Sequence, residues 1–279
     1  MKEHYDQALV IYDPAEHRPL TTPSGRDLQV ALLSFRSNCV WQLGYPAAAR
    51  NDAKRAVKNA RESRHPATLM YALNRAAICY TFCGDYAAAH AQLDEFIALA
   101  GEREQALENT VRGRLFALTG KASEAVRAIT SGMTSLRSTG AILYQSWHMW
   151  HLALAYAELG QLDDAQRCVE DAMDTVERSK EKWCEAEVHR IAGEIALKAL
   201  ASNTEKAERH FDRALAVARQ QQTKSWELRA AISMARLWYN QGKLQQAREL
   251  LTPVYGWFTE GFDTLDLRDA KALLDEWAT

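Results

Sequence analysis

Apolar residues recur along the chain at the three- and four-residue intervals of amphipathic helices, and one phrase punctuates them. It runs as a variable residue, Gly, one residue, a Tyr, Leu, Pro or Ala position, two residues, then Ala. The copies are Leu43-Gly44-x-Pro46-x-x-Ala49, Cys83-Gly84-x-Tyr86-x-x-Ala89, Thr119-Gly120-x-Ala122-x-x-Ala125, Leu159-Gly160-x-Leu162-x-x-Ala165 and Gln241-Gly242-x-Leu244-x-x-Ala247. A sixth lacks the glycine but keeps Ala207, Phe211 and Ala214, with Gly193 upstream. The alanines at 49, 89, 125, 165, 207 and 247 are separated by 40, 36, 40, 42 and 40 residues.

A helical hairpin explains the phrase. Glycine ends helix A because it enters the left-handed conformation cheaply, and helix B starts within a few residues. Where A and B cross closely the side chains must be small, which accounts for Ala77, Gly113, Ala153, Gly193 and Ala235 on A helices opposite the alanines of B helices. Larger residues at fixed offsets, Tyr80, Phe116, Tyr156 and Trp238 on A and Leu93, Ile129, Val169, Phe211 and Leu251 on B, fill the space between hairpins. This is tetratricopeptide grammar with a period longer than the usual ~34 residues.

The pattern predicts A helices near 27–42, 66–83, 102–119, 141–159, 181–201 and 223–241, and B helices near 46–62, 86–100, 122–138, 162–178, 204–220 and 244–258. Leu265 to Trp277 reads as a capping helix with Asp263 or Thr264 as its N-cap. Tyr5-Asp6-x-Ala8-Leu9-x-x-Tyr12 reads as helix B of a truncated repeat, since Ala8 lies 41 residues before Ala49. The expected fold is all-α: a right-handed solenoid forming one domain over 1–279. A half-repeat helix and long turn occupy 1–26, six hairpins 27–258, and a turn and capping helix 259–279.

Composition narrows the function classes. Six prolines, 13 glycines and 47% hydrophobic residues suit a helical protein with a sizeable core. The net charge of −2, from 34 basic and 36 acidic residues, provides no basic excess for a phosphate backbone, so no direct nucleic-acid partner is expected. Five cysteines without a CxxC pair fit a reducing cytoplasm. Neither a signal peptide nor a bilayer-length apolar run is visible, so no membrane partner is expected.

Several stretches together carry a resemblance: Tyr12-Asp13-Pro14 with His17-Arg18, Trp41-Gln42-Leu43-Gly44-Tyr45-Pro46, Glu185-Ala186-Glu187-x-His189-Arg190-x-x-Gly193-Glu194, and Tyr255-Gly256-Trp257-Phe258-Thr259-Glu260-Gly261-Phe262-Asp263. Across essentially the whole chain they resemble the C-terminal tetratricopeptide region of bacterial multidomain signalling proteins. There the region follows a predicted AAA/STAND ATPase module, often with a class III adenylate/guanylate cyclase or winged-helix domain in front. The resemblance implies a regulatory or sensing arm without cyclase or ATPase machinery of its own.

Candidate chemistry is sparse. Thr119-Gly120-Lys121-Ala122-Ser123 lacks the Walker glycine, with Leu115 in its place, and has Ala122 where Ser or Thr is required. Cys79 with Cys83, His148 with His151, and Glu185 with His189 are helical pairs, each too few ligands for a metal site. Catalytic residues, metals and cofactors are therefore expected to be none. Tyr12 to Arg18 reads either as a helix stop or as a docking loop for a neighbouring domain.

In such a stack the A helices line the recognition groove. That register assigns Asn38, Trp41, Tyr71, Asn74, Arg114, Trp147, Trp150, Glu187, Arg190, Glu194, Arg229 and Arg236 to it. Aromatics interleaved with arginines suit a peptide or a neighbouring ATPase or cyclase module; packing between hairpins is the alternative for Trp147 and Trp150. The expected function is a non-enzymatic protein- or peptide-binding scaffold or sensor arm. Its rivals are a small-molecule sensor and a fragment with residual nucleotide-processing activity. The uncapped N-terminal helix offers a homodimer contact through Leu9 and Tyr12.

Overall fold

A computed structural model describes residues 2–17, 26–100, 105–138, 144–199 and 203–278. Its helices are α1 (Lys2–Ile11), α2 (Pro14–His17), α3 (Leu28–Gln42), α4 (Pro46–Ser63), α5 (Pro66–Phe82), α6 (Tyr86–Ala100), α7 (Gln105–Leu118) and α8 (Ala122–Ser138). They continue as α9 (Gln145–Glu158), α10 (Leu162–Ser179), α11 (Glu185–Ala199), α12 (Thr204–Gln220), α13 (Lys224–Asn240), α14 (Leu244–Gly256) and α15 (Leu265–Glu276). The fold is all-α, built of tetratricopeptide-like hairpins, with five A–B pairs at the glycine phrases and α11–α12 at the copy that lacks the glycine. The expected helix ends at 102, 141 and 201, and Arg18, lie outside the described residues.

The repeat works as its chemistry requires. At Gly84 the backbone turns left-handed (φ +74°), and the amides of Gly84 and Asp85 bond back to Thr81 and Tyr80 at 3.1 and 2.9 Å, closing helix A. All six phrase alanines are 0% exposed, so each marks a closed crossing. The helix B to helix A turns contain Arg64, Lys180 and Gln222 with positive φ. These non-glycine residues gave no boundary signal in the sequence.

The chain divides into two compact units, Met1–Gln105 with Thr259–Leu265, and Ala106–Phe258 with Asp266–Thr279. In the first, α3 packs on α4, α5 on α6, and α3 on α5. Helix α1 lies on α3, where Arg36 pairs with Asp6 at 2.6 Å and also with Asp52 of α4.

Residues 259–265, expected to be a plain turn before the cap, instead form a strap on the first two A–B turns. Tyr45, before α4, makes no side-chain cap, and the Ala48 amide donates to Glu260 Oε1 at 2.9 Å. At the matching place in the next hairpin, Asp85 Oδ1 accepts from the Ala88 amide at 3.1 Å. Glu260 therefore supplies across 212 residues the cap that Asp85 provides locally. Arg50 donates to both Asp263 oxygens at 2.8 and 2.7 Å, and the Leu265 amide donates to the Cys83 carbonyl at 3.3 Å. Asp263 and Thr264, the expected N-caps of α15, also bond Arg50 and the Gly261 carbonyl, the latter at 2.7 Å. A Cβ at Gly84 would overlap Leu265, and one at Gly261 would overlap Pro46, whereas Gly120, Gly160 and Gly242 face open space.

In the second unit α9 packs on α10, α11 on α12 and α13 on α14, while α9, α11 and α13 touch in succession. Helices α9, α11 and α13 therefore form one continuous layer. Leu267, Ala270 and Trp277 of the C-terminal segment join the cluster that also holds Phe211, Leu251 and Phe258.

Candidate functional site

The A-helix layer of the second unit gathers most of the charge and aromatic chemistry that the register assigned to a groove. Its floor comes from α7 and α9. The Arg114 guanidinium lies 3.9 Å from the Trp147 ring centroid, and its Nη1 is 3.0 Å from His148 Nδ1. Arginine can only donate, so that histidine nitrogen accepts. His151 Nδ1 donates to the Trp147 carbonyl at 2.8 Å, with Trp150 stacked on its ring at 3.5 Å.

Burial, reinforced by the Arg114 charge, pushes both His148 and His151 well below the ordinary histidine value of 6.5. The folded state therefore holds both neutral. The unfolded chain takes up protons near pH 6.5 while the folded chain does not, so stability is full above that pH and falls as acidity increases toward the depressed folded values. Two such groups give a slope of at most about 2.7 kcal/mol per pH unit. Denaturation midpoints between pH 7.5 and 5 should show this decline. The double variant His148→Gln, His151→Gln should lessen it, leaving the share of His189, which burial also lowers, to about 4, and an unchanged slope would show that neither imidazole is held neutral.

The charged part of the site comes from α11, α13 and α15. Glu187, only 1% exposed, accepts from Arg190 Nε and Nη2 at 2.8 Å each, and from Arg229 Nη1 at 3.4 Å. Arg229 Nε also donates to Asp266 at 2.8 Å. Arg190 Nη1 reaches Glu194 and Ser233 at 3.4 Å each, and Ser233 Oγ donates to Glu194 at 2.6 Å. Arg236, exposed, pairs with Asp269 at 3.4 Å. Burial alone would raise the Glu187 carboxyl, but Arg190 and Arg229 overcome it and hold the group below its ordinary value. The same carboxylates hold the Arg190 and Arg229 guanidiniums charged against burial.

Of the residues assigned to a groove, Arg114, Trp147, Trp150, Glu187, Arg190, Glu194, Arg229 and Arg236 share this layer of the second unit. Asn38, Trp41, Tyr71 and Asn74 belong to the first unit. The tryptophans lie deeper than a groove lining: Trp147 and Trp150 are buried, as the packing alternative holds, and Trp41 stacks on Phe82 at 4.5 Å. Asn38 and Asn74 are also buried, with Oδ1 of the first and Nδ2 of the second lacking a hydrogen-bond partner among the described residues. Tyr71 is half-buried beneath Arg26, at 4.4 Å.

Sequence reasoning missed Ser233, Asp266 and Asp269. Ser233 is one position off the assumed register, and the two aspartates sit on a helix read only as a cap. Among the described residues no group of three or more His, Cys, Asp or Glu could hold a metal ion, and no helix is long and apolar enough to cross a membrane.

No protein-family model matches the sequence, and no curated protein matches it. Solved structures do. A Rap protein complexed with competence and sporulation factor has 11% identity and a TM-score of 0.69, over 98% of this chain and 76% of that one. A tetratricopeptide repeat protein from Parabacteroides merdae has 13% identity and a TM-score of 0.56, over 100% and 91%. A signal transduction ATPase with numerous domains from Pyrococcus horikoshii, which carries a tetratricopeptide repeat sensor, has 14% identity and a TM-score of 0.60. That alignment takes in 98% of this chain and 42% of the ATPase. At these identities the likeness shows the fold alone.

Proposed function

We propose that the chain is a non-enzymatic scaffold that recognises a protein or peptide on the A-helix layer of its second unit, as the sensing arm of a cytoplasmic bacterial signalling ATPase or cyclase. The observation that carries this reading is the set of guanidiniums on consecutive A helices. Arg190 and Arg229 are fixed in direction by buried Glu187, and Arg236 is exposed about two turns along α13 from Arg229. Fixed, partly exposed guanidiniums recognise carboxylates through paired, charge-assisted hydrogen bonds at little ordering cost. A peptide with acidic side chains or a free C-terminus is the matching ligand. The ligand-bound Rap protein and the ATPase with a repeat sensor support this reading by analogy of fold.

Charge reversal at Arg190 is a poor test, because a glutamate there would face buried Glu187 and unfold the site. Arg236 is the better position. Peptides selected by display on the full chain should bind Arg236→Glu at least about tenfold more weakly, a loss of ~1.4 kcal/mol, with the melting temperature unchanged. Equal binding by both chains would remove the layer from the recognition surface. A second reading, a small amide- or carbonyl-bearing ligand, is favoured by the buried polar atoms of Asn38 and Asn74. Thermal-shift screening of metabolites discriminates the two, since a ligand at 100 times its Kd adds about 2.7 kcal/mol.

A further inference from the structure

The strap and the charged layer are joined by one peptide bond. The Leu265 side chain lies against Gly84 and its amide donates to the Cys83 carbonyl at 3.3 Å, while the carboxylate of the next residue, Asp266, accepts from Arg229 Nε at 2.8 Å. Consecutive Cα atoms are held ~3.8 Å apart, so Asp266 cannot move far without displacing Leu265. At Gly84 there is no slack, since the space a Cβ would need is already taken by Leu265. Besides Gly261, which packs on Pro46, the strap is held by polar contacts that break and re-form readily, among them one carboxylate on the Ala48 amide and an ion pair from Arg50 to the exposed Asp263.

We infer that residues Thr259–Leu265 are a releasable strap, seated on the first two A–B turns while Asp266 is paired with Arg229 and freed when a ligand carboxylate takes Arg229 from Asp266. This rests on the proposed recognition surface, and it adds the means by which occupancy there is reported elsewhere in the chain. Arg229 is the shared element, because it bonds both Glu187, in the middle of the layer, and Asp266, at the foot of the strap. Release strips the Ala48 amide of its acceptor and exposes the turn around Tyr45, Pro46 and Gly84 as a new surface.

Amide hydrogen exchange on the full chain, without ligand, tests the coupling. Glu260→Gln with Asp263→Asn weakens the strap directly and should speed exchange at Ala48 and Leu265 by about tenfold. Asp266→Asn, which touches neither the Ala48 nor the Arg50 contact, should speed the same two amides at least about threefold. Arg229→Lys, which keeps the charge but loses the fork, should do the same. Faster exchange in the strap variant with no change in either Asp266→Asn or Arg229→Lys would overturn the coupling, and no change in the strap variant would overturn the strap itself. Neither result bears on peptide binding by Arg236→Glu, so the recognition surface stands or falls separately.

Discussion

Glu187→Ala is expected to destabilise the chain by ~3–5 kcal/mol, among the largest losses available to a single substitution here. The carboxylate is buried and accepts from both Arg190 and Arg229, so its removal leaves two guanidiniums close together without the anion they share, with only Glu194 on the first and Asp266 on the second. The measurement is the urea midpoint at unchanged slope. Glu187→Gln should fall between, because it keeps an acceptor but not the charge. The pH dependence has a definite sign. The folded carboxyl lies below its ordinary value, so its contribution is complete above the unfolded value of about 4.5 and is lost as pH falls through the folded one. The gap between wild type and Glu187→Ala should hold constant from pH 7 to ~5 and narrow below that. A loss under ~1 kcal/mol would mean that the arginines reach water instead.

Phe211→Ala is expected to cost ~3–5 kcal/mol, since the ring is 0% exposed at the crossing of α11 and α12. The informative companion is Gly193→Ala. In the wild-type background a Cβ there would overlap the Phe211 ring, and overpacking of ~1–3 kcal/mol outweighs the ~1 kcal/mol that alanine gains over glycine in a helix. In the Phe211→Ala background the obstacle is gone, and the same substitution should stabilise. Midpoints for the four chains read this change of sign directly. Equal effects in both backgrounds would show that the glycine is not there to admit the ring.

The two cases show what the sequence made legible. Phe211 follows Ala207 by four residues and Gly193 stands at the matching small position of helix A, so the crossing could be read from residue size and spacing alone. The same holds for the helix ends set by Gly44, Gly84, Gly120, Gly160 and Gly242. Register, however, fixes a face and not a depth: Trp41, Trp147 and Trp150 fall on the A-helix side, yet their rings turn into the packing. Distant pairings left almost no local trace. Arg229 with Asp266, and Ala48 with Glu260, join residues whose spacing carries no period. The one available hint was Tyr45, which stands where Asp85 serves its own helix and so leaves a backbone donor waiting for a partner.

That deferred partner has a consequence for synthesis on the ribosome. The strap follows the end of the second hairpin by about 160 positions, a delay of roughly 8–32 s at ordinary elongation rates of ~5–20 residues per second. Throughout that interval the two nascent hairpins must persist with bare turns, open to chaperones or to the wrong acidic loop. The strap thus finishes a structure translated well before it.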